Sequence, residues 1–264
     1  MSVEESLVLI DADTDSGVAT VTLNRPLQFN VLSSGMLTAL QAALDRVRSD
    51  RAIRVVVLAG VGRAFCAGHD LREMQANRDK AWLTALFAQC SNVMVSIAAI
   101  PQPVIACVQG VATAAGCQLV AACDLAIAGH GAKFATSGVN LGLFCATPAV
   151  AITRTMAAKH AAELLFTGDF IAAEQAERWG LVNRCVDDAS LRQATELWAQ
   201  SIAAKSGAAL ASGKALLRAQ RELSLTDAYA IAGTTMARDM LSVDANLGIA
   251  AFIEKQPMPE WIHQ

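Results

Sequence analysis

Alternating and helical hydrophobic patterns divide the first sixty residues into short elements. Apolar runs at 7–10 and 18–23 flank the polar segment DADTDSG, which is typical of two strands joined by a turn. Apolar side chains then recur at helical spacing behind the serines at 33–34, so the pattern predicts an amphipathic helix that ends near Asp50. A continuous apolar run at 54–60 predicts a buried strand.

The same alternation continues beyond residue 100. Pro103 introduces the strand VIACVQG, a turn of Gly, Ala and Thr follows, and an apolar helix runs from near Ala115 to about Cys123. DLAIAG returns as a strand, and a shorter one is expected at 133–136. Strand, helix and strand in this order predict a parallel α/β core. After Pro148 the pattern is mostly helical, and we expect this part to pack on the core or on a neighbouring subunit.

Composition and charge exclude several classes of partner. The chain has 264 residues, 54% of them hydrophobic and 17% charged, with a formal net charge of −3. This balance lacks the basic excess of a phosphate-backbone binder, so we expect no nucleic-acid partner. Uncharged stretches occur at 81–123 and 134–153, but polar residues interrupt them, which favours buried core over a membrane span. The N-terminal residues resemble no targeting segment, so a cytoplasmic location is expected.

Metal and cofactor motifs are incomplete. Seven cysteines include no C-x-x-C pair, and the Cys66/His69 spacing has no second ligand pair, so neither disulfides nor a metal site is predicted. GVGRAF begins like a dinucleotide fingerprint but has Phe65 in place of the third glycine. The sequence contains no G-x-S-x-G, H-E-x-x-H or Walker A string. We therefore predict no permanently bound cofactor.

Two turns rich in small residues are the candidates for chemistry. FCAGHDL follows a buried strand, and TAAGCQL joins another buried strand to a helix whose first amides have no intrahelical partner. Small residues let a ligand approach closely, and free amides stabilise a developing oxyanion in a dry pocket. The alternative is that these residues only permit tight packing of helix on sheet.

The chain resembles the enoyl-CoA hydratase/isomerase (crotonase) family along most of its length. The matching strings are VTLNRP at 21–26, AFCAGHDL at 64–71, PVIACVQGVATAAGCQLVAACDLAIA at 103–128, NLG at 140–142 and FTGDFIAAEQAERWGLV at 166–182. The resemblance implies a crotonase-like spiral of repeated ββα units over 1–195, which carries an acyl-CoA site. It also implies a helical trimerisation region over 196–264, and homotrimers or hexamers built as dimers of trimers.

The resemblance also implies roles for individual residues. The backbone amides of His69 and Ala115 would bind the thioester oxygen of an acyl-CoA, with coenzyme A present only as part of the substrate. The remaining implied contacts to substrate or coenzyme A are Gln28, Arg63, Ala64, Ala67, Asp70, Leu71, Gly116 and Lys255.

Two positions depart from the family pattern. Family hydratases carry glutamates where this sequence has Gln118 and Gly138. Glutamine holds water but takes up no proton at neutral pH, and glycine has no side chain. The candidate replacements are the His69 side chain, Cys145 and Cys117, although each is also a plausible packing residue.

Three functions therefore remain open. The first is an enzyme that acts on acyl-CoA thioesters through the oxyanion turns, with chemistry that needs little acid/base help, such as decarboxylation of a malonyl-type thioester. Hydration is doubtful without the two glutamates. The second is a non-catalytic acyl-CoA binder or trimeric scaffold, and the third is a thioesterase that uses Cys145. The acyl group is not predicted.

Overall fold

The computed structural model describes residues 6–263, which form two β-sheets and surrounding helices. The strands are β1 (Val8–Asp13), β2 (Val18–Leu23), β3 (Val55–Gly60), β4 (Ala64–Cys66), β5 (Val104–Val108), β6 (Val111–Thr113), β7 (Leu125–Gly129), β8 (Lys133–Ala135), β9 (Ile171–Ala172) and β10 (Arg184–Val186). The α-helices are α1 (Ser34–Ser49), α2 (Leu71–Ala76), α3 (Lys80–Ala99), α4 (Ala115–Ala122), α5 (Ala146–Thr155), α6 (Ala158–Thr167), α7 (Ala173–Arg178), α8 (Leu191–Ala203), α9 (Gly207–Ala219), α10 (Leu225–Asp239) and α11 (Val243–Ile253).

The strands divide between the two sheets in an alternating way. The larger sheet has the order β1-β2-β3-β5-β7-β10 and the smaller one β4-β6-β8-β9. Apart from the antiparallel pairs β1–β2 and β8–β9, neighbouring strands are parallel. A strand of the large sheet is followed three times by a strand of the small sheet and then by helical structure: β3 by β4, β5 by β6, and β7 by β8. These are the repeated ββα units expected from the sequence.

Most predicted elements are present, and two short strands are additional. The hairpin, α1 with its Ser33 cap, β3, β5, α4, β7 and β8 lie where the hydrophobic pattern predicts them. The segments 64–66 and 111–113 were expected as turns but are the strands β4 and β6. Both segments lie close to glycines that favour a turn, and pairing with neighbouring strands fixes them as strands instead.

The C-terminal helices pack on the core through two contacts. The buried side of α8 covers the large sheet, where Leu191, Ala199 and Ala203 contact Val55 and Ile105 in a second hydrophobic cluster. A division into two parts after residue 195 stays a prediction, and that position lies within α8.

An ion pair makes the second contact, from α9. Lys214 Nζ lies 2.6 Å from Asp124 Oδ2 and donates to the carbonyls of Ile97 and Gln102. Because the lysine is buried, these three oxygens take the place of the water that it loses.

Helix α3 is the one helix within residues 6–263 that is long and apolar enough to cross a bilayer. One side of it joins the main hydrophobic cluster through Leu86, Cys90, Val93 and Ile97. Other apolar side chains of α3 are exposed, such as Val95 at 53%.

Candidate active site

Three loops meet at one edge of the small sheet. The strands β4, β6 and β8 are parallel neighbours, so their carboxyl ends lie at the same edge. His69 follows the end of β4, Ala115 follows the end of β6, and Ser137 with Gly138 follows the end of β8. Ligand sites of parallel sheets form at the carboxyl ends of the strands. This edge therefore carries the residues that the sequence singles out.

The turn after β4 leaves the amide of His69 free. Leu32 pairs with His69 as a parallel bridge, in which the Leu32 amide donates to the Gly68 carbonyl at 2.7 Å and the Asp70 amide donates to the Leu32 carbonyl at 3.3 Å. The N–H of His69 itself points away from Leu32 in such a bridge. Within residues 6–263 this N–H donates to no backbone or side-chain acceptor.

The turn after β6 leaves a second amide free at the start of α4. Ala115 is the first residue of this eight-residue helix, so its N–H has no intrahelical partner, and no other acceptor in the described chain receives it. The preceding residue, Ala114, has φ 51 and ψ −119, a left-handed conformation that costs a residue with a Cβ about 1–3 kcal/mol. This strained step turns the chain from β6 into the helix.

The two turns are in van der Waals contact. A Cβ placed on Gly68 would lie 3.0 Å from the Ala114 Cβ and 3.4 Å from the Ala115 nitrogen. A Cβ placed on Gly116 would overlap the carbonyl oxygen of Cys66. Glycine at both positions therefore lets the loop after β4 and the start of α4 approach closely. Packing and ligand binding are not alternatives here, because the tight packing is what brings the two free amides together.

An ion pair holds the loop that carries His69. Asp70 caps α2 by accepting from the amides of Arg72 and Glu73, and its other carboxylate oxygen lies 3.0 Å from Arg25 Nη1. Both partners are largely buried, with 29% and 15% of their side chains exposed. Asp70 was implied to contact substrate, but its carboxylate is used within the protein and fixes the residue next to His69.

The His69 side chain is buried against an aromatic ring. Its imidazole meets Phe87 edge-on with ring centroids 5.3 Å apart, and its Nε2 is buried and has no hydrogen-bond partner among residues 6–263. Burial lowers the pKa of His69 to about 4, against a smaller opposing effect of Glu73. The imidazole is therefore neutral at physiological pH and a weak base.

Neutral groups occupy both positions where the resemblance implies glutamates. Gln118 lies on α4 with 3% of its surface exposed, and its Oε1 has no hydrogen-bond partner in the described part of the chain. A Cβ placed on Gly138 would lie 2.5 Å from the Leu143 carbonyl oxygen and 2.7 Å from Cys145 Sγ. The space for a side chain at 138 is therefore already filled by the loop that follows.

The two candidate thiols are poorly suited to nucleophilic chemistry. Burial raises the pKa of Cys117 to about 12, and burial also raises the pKa of Cys145, although a hydrogen bond with the Gly138 backbone opposes the second shift. A protonated thiol is not the reactive form. These directions count against a thioesterase that uses Cys145. Within residues 6–263 no three His, Cys, Asp or Glu side chains are grouped to hold a metal ion.

The residues implied to contact coenzyme A differ in how far they are exposed. The Arg63 guanidinium lies 4.5 Å above the Phe29 ring, so exposed Arg63 and Gln28 share one surface beside the half-buried Ala67. Ala64 is 2% exposed and its carbonyl accepts from Asn30, so its side chain offers no surface to a ligand.

The remaining implied contacts differ in their surroundings. Gly116 is buried in the close packing on Cys66, whereas Leu71 is 55% exposed at the start of α2. Lys255 lies on the exposed turn after α11, in the C-terminal helices, where its amide donates to the Phe252 carbonyl.

A hydroxyl pair at this edge was not singled out from the sequence. Thr113 Oγ1 and Ser137 Oγ lie 2.8 Å apart, and they join the end of β6 to the segment that follows β8. Thr113 is the first residue of the TAAGCQL turn, but no role was assigned to its hydroxyl, and Ser137 lies outside both turns. The pairing of β6 with β8 brings them together, and β6 itself was expected as a turn.

Comparison with known proteins gives consistent matches. A model of the family described as enoyl-CoA hydratase/isomerase matches residues 13–264. Enoyl-CoA hydratase domain-containing protein 3, mitochondrial, from Xenopus laevis is 40% identical over 249 residues, which cover 94% of this chain and 84% of that protein.

Solved structures agree with this match. The crystal structure of an enoyl-CoA hydratase from Mycobacterium smegmatis is 50% identical, with a TM-score of 0.95, and the match covers 97% of this chain and 99% of that one. Human enoyl Coenzyme A hydratase domain-containing protein 3 is 37% identical, with a TM-score of 0.92 over 96% of this chain and 99% of that one.

Proposed function

Because the chain belongs to the enoyl-CoA hydratase/isomerase family, we propose that it is an enzyme that acts on acyl-CoA thioesters. The observation that carries the proposal is the pair of free amides, His69 N–H and Ala115 N–H, on two turns in direct contact. Backbone donors aimed at one point stabilise an oxygen on which negative charge develops. The thioester oxygen of an enolate is such an oxygen.

The reaction we propose is decarboxylation of a malonyl-type thioester. The bond between Cα and the carboxylate breaks, carbon dioxide leaves, and the electron pair moves to the thioester oxygen between the two amides. The resulting enolate then takes a proton from water at Cα. This sequence needs no carboxylate base, which agrees with Gln118 and Gly138. Addition of water to an enoyl thioester would need groups that these two residues lack.

Removing the Ala115 N–H tests the proposal. Proline is common at the first residue of a helix and has no N–H, so Ala115→Pro removes this donor. Because Ala114 has φ 51 and ψ −119, outside the range that suits a residue before proline, folding of the variant is checked by circular dichroism before its turnover is measured. We expect release of carbon dioxide from malonyl-CoA by the native protein and a loss of about 100-fold or more in kcat for Ala115→Pro. Chromatographic measurement of acetyl-CoA formation gives both rates.

A matched control separates loss of the donor from the effect of proline. Ala158 is the first residue of α6, is exposed, and follows a residue with φ −59 and ψ 141, which suits the position before a proline. Ala158→Pro is expected to keep native turnover. Full activity of a folded Ala115→Pro protein would contradict the proposed role of the amide.

A non-catalytic acyl-CoA binder is the second candidate. The neutral groups at 118 and 138 favour it, because a binder needs no acid or base. Tight binding of acyl-CoA thioesters with no turnover of malonyl-CoA by the native protein would support the binder over the enzyme.

Assembly and location are further parts of the proposal. We propose a homotrimer or a dimer of trimers, supported by large exposed apolar side chains in the C-terminal helices, such as Leu241, Phe252 and Ile253 at 82%, 76% and 71% exposure. A cytoplasmic location stays a prediction, whereas the vertebrate relatives have "mitochondrial" in their names.

A further inference from the structure

The hydroxyl pair formed by Thr113 and Ser137 lies at the edge of the small sheet that also carries the free amides of His69 and Ala115. We infer that Ser137, held by Thr113, binds the carboxylate of the acyl group and thereby selects 2-carboxyacyl thioesters of the malonyl type. This inference rests on the proposed function and adds to it a residue that determines specificity.

Position is the first argument. Thr113 ends β6 two residues before the free amide of Ala115, and Ser137 lies two residues past the end of β8 and directly before Gly138. Thr113 pairs with Ala135, which is the last residue pair of β6 and β8. The 2.8 Å contact between the hydroxyls of Thr113 and Ser137 therefore joins the end of β6 to the segment directly after β8. The pair therefore lies between an oxyanion donor and a position where hydratases of the family are expected to carry an acid/base group.

The proton count is the second argument. Two hydroxyl groups have two protons, and the contact between them uses one. When Thr113 Oγ1 is the donor in this contact, the Ser137 O–H remains to donate to a ligand. Thr113 is buried at 8% exposure, whereas Ser137 is half-buried, so the serine is the member that a ligand reaches. A carboxylate only accepts hydrogen bonds, and it matches a pair that has one donor to offer.

Charge is the third argument. Thr113, Gln118, Ser137, Gly138 and Cys145 are neutral groups around this edge, and burial keeps the Cys145 thiol protonated. A glutamate at 118 or 138 would repel an anionic acyl group, and the repulsion between like charges is stronger in a buried site than in water. Loss of both carboxylates makes the edge compatible with a substrate that has its own carboxylate.

Binding of this kind also fits the bond-breaking step. The amides of His69 and Ala115 hold the thioester oxygen, and Ser137 holds the carboxylate from a different strand end. Two separate anchors fix the torsion about the bond that breaks, as decarboxylation through an enolate requires. One neutral hydroxyl anchors the carboxylate without the strong stabilisation that a lysine or arginine would give the ground state.

The test compares malonyl-CoA with acetyl-CoA, which lacks the carboxylate. Stopped-flow quenching of tryptophan fluorescence gives both dissociation constants before turnover. We expect the native protein to bind malonyl-CoA about 10-fold or more tightly than acetyl-CoA, as one hydrogen bond to a charged group allows. Ser137→Ala should bring the two constants within about 2-fold, with that for acetyl-CoA unchanged, and Ser137→Thr should restore the preference.

Controls keep the inference separate from the proposed function. Ser201→Ala removes a hydroxyl from α8 that donates to the Trp198 carbonyl, and it should change neither constant. Thr113→Val replaces the partner at similar volume and gives a second test if Ser137→Ala does not fold. A preference for malonyl-CoA that persists in both site variants would overturn the inference. A preference that depends on Ser137 but comes with no release of carbon dioxide would support the anchor and contradict decarboxylation.

Discussion

The two halves of the candidate site differ in what they are made of. On one side, the backbone amides of His69 and Ala115 are free and adjacent. On the other, Gln118 and Gly138 contribute neutral groups, and Cys145 occupies the space beside position 138. A backbone amide donates in the same way whichever side chain its residue carries, so the backbone half depends only on the path of the chain. The side-chain half depends on residue identity and on free volume.

Under the proposed function, this contrast would let one fold change its reaction and keep its ligand class. An amide donor is preserved as long as the loop keeps its close packing, as Gly68 and Gly116 ensure. An acid/base group disappears with a single substitution, and neighbouring residues then fill its space. We therefore expect experiments on the two halves to give effects of different kinds.

Restoring the side-chain half should have the largest effect. The changes Gln118→Glu, Gly138→Glu and Cys145→Gly together would supply two carboxylates and remove the thiol that lies 2.7 Å from a Cβ at 138. The Leu143 carbonyl oxygen at 2.5 Å must still move, and glycine at 145 gives its loop the backbone freedom to do so. We expect hydration of crotonyl-CoA to rise about 100-fold or more above the native rate, since each acid/base group is worth about 10²–10⁴. Loss of enoyl-thioester absorbance measures the rate.

The matched control leaves Cys145 in place. The variant Gln118→Glu/Gly138→Glu should be less active and less stable than the triple variant, because its new side chain meets the sulfur. Hydration by the native protein as fast as by the triple variant would contradict this comparison and would indicate a base elsewhere.

Disturbing the backbone half should have the next largest effect. Gly68→Ala puts a Cβ 3.0 Å from Ala114 and 3.1 Å from the Thr113 carbonyl oxygen, at a residue with φ +89. We expect kcat with malonyl-CoA to fall about 100-fold, as for loss of one oxyanion donor. Gly142→Ala is the control, because Gly142 has φ +78 but no atom lies within 4 Å of its Cβ position.

The Gly142 control separates the effect of backbone strain from the effect of the steric clash that Gly68→Ala introduces between the two turns. Gly142→Ala should cost about 1 kcal/mol in the free energy of unfolding and leave turnover within a few fold. Equal loss of turnover in both variants would mean that the contact between the two turns is not what aligns the amides.

The fold was largely predictable from the sequence. Resemblance to a family over most of the chain predicted the ββα spiral, and structures at TM-scores of 0.95 and 0.92 confirm it. The three-residue strands β4 and β6 were not predicted, since both lie in segments of small residues and glycines that favour a turn. Their pairing depends on residues far away in the sequence.

The site was predictable only in part. Motifs pointed to the turns with His69 and Ala115, which the structure brings into contact. The Thr113–Ser137 pair was missed because it depends on the register of β6 with β8, and the Arg25–Asp70 ion pair because its partners lie on different loops. The lack of space at Gly138 comes from the conformation of residues 143–145, which no motif describes.

The smallest effect concerns His69. Its backbone amide belongs to the backbone half of the site, whereas its imidazole is a side chain to which we assign no role in the reaction. Burial lowers the pKa of its imidazole from 6.5 to about 4. Between these values the unfolded chain binds a proton that the folded chain does not, so the free energy of unfolding should fall as the pH falls from 6.5 towards 4. One such group contributes about 1 kcal/mol per pH unit within this window.

His69→Leu keeps the backbone amide and removes this contribution. Urea unfolding from pH 7 to 4.5 should therefore give a shallower slope of unfolding free energy against pH for the variant than for the native protein. Parallel slopes would mean that the folded imidazole titrates near its ordinary pKa. The side chain would then be available as a base, and the division between a working backbone and an uninvolved side chain would fail at this residue.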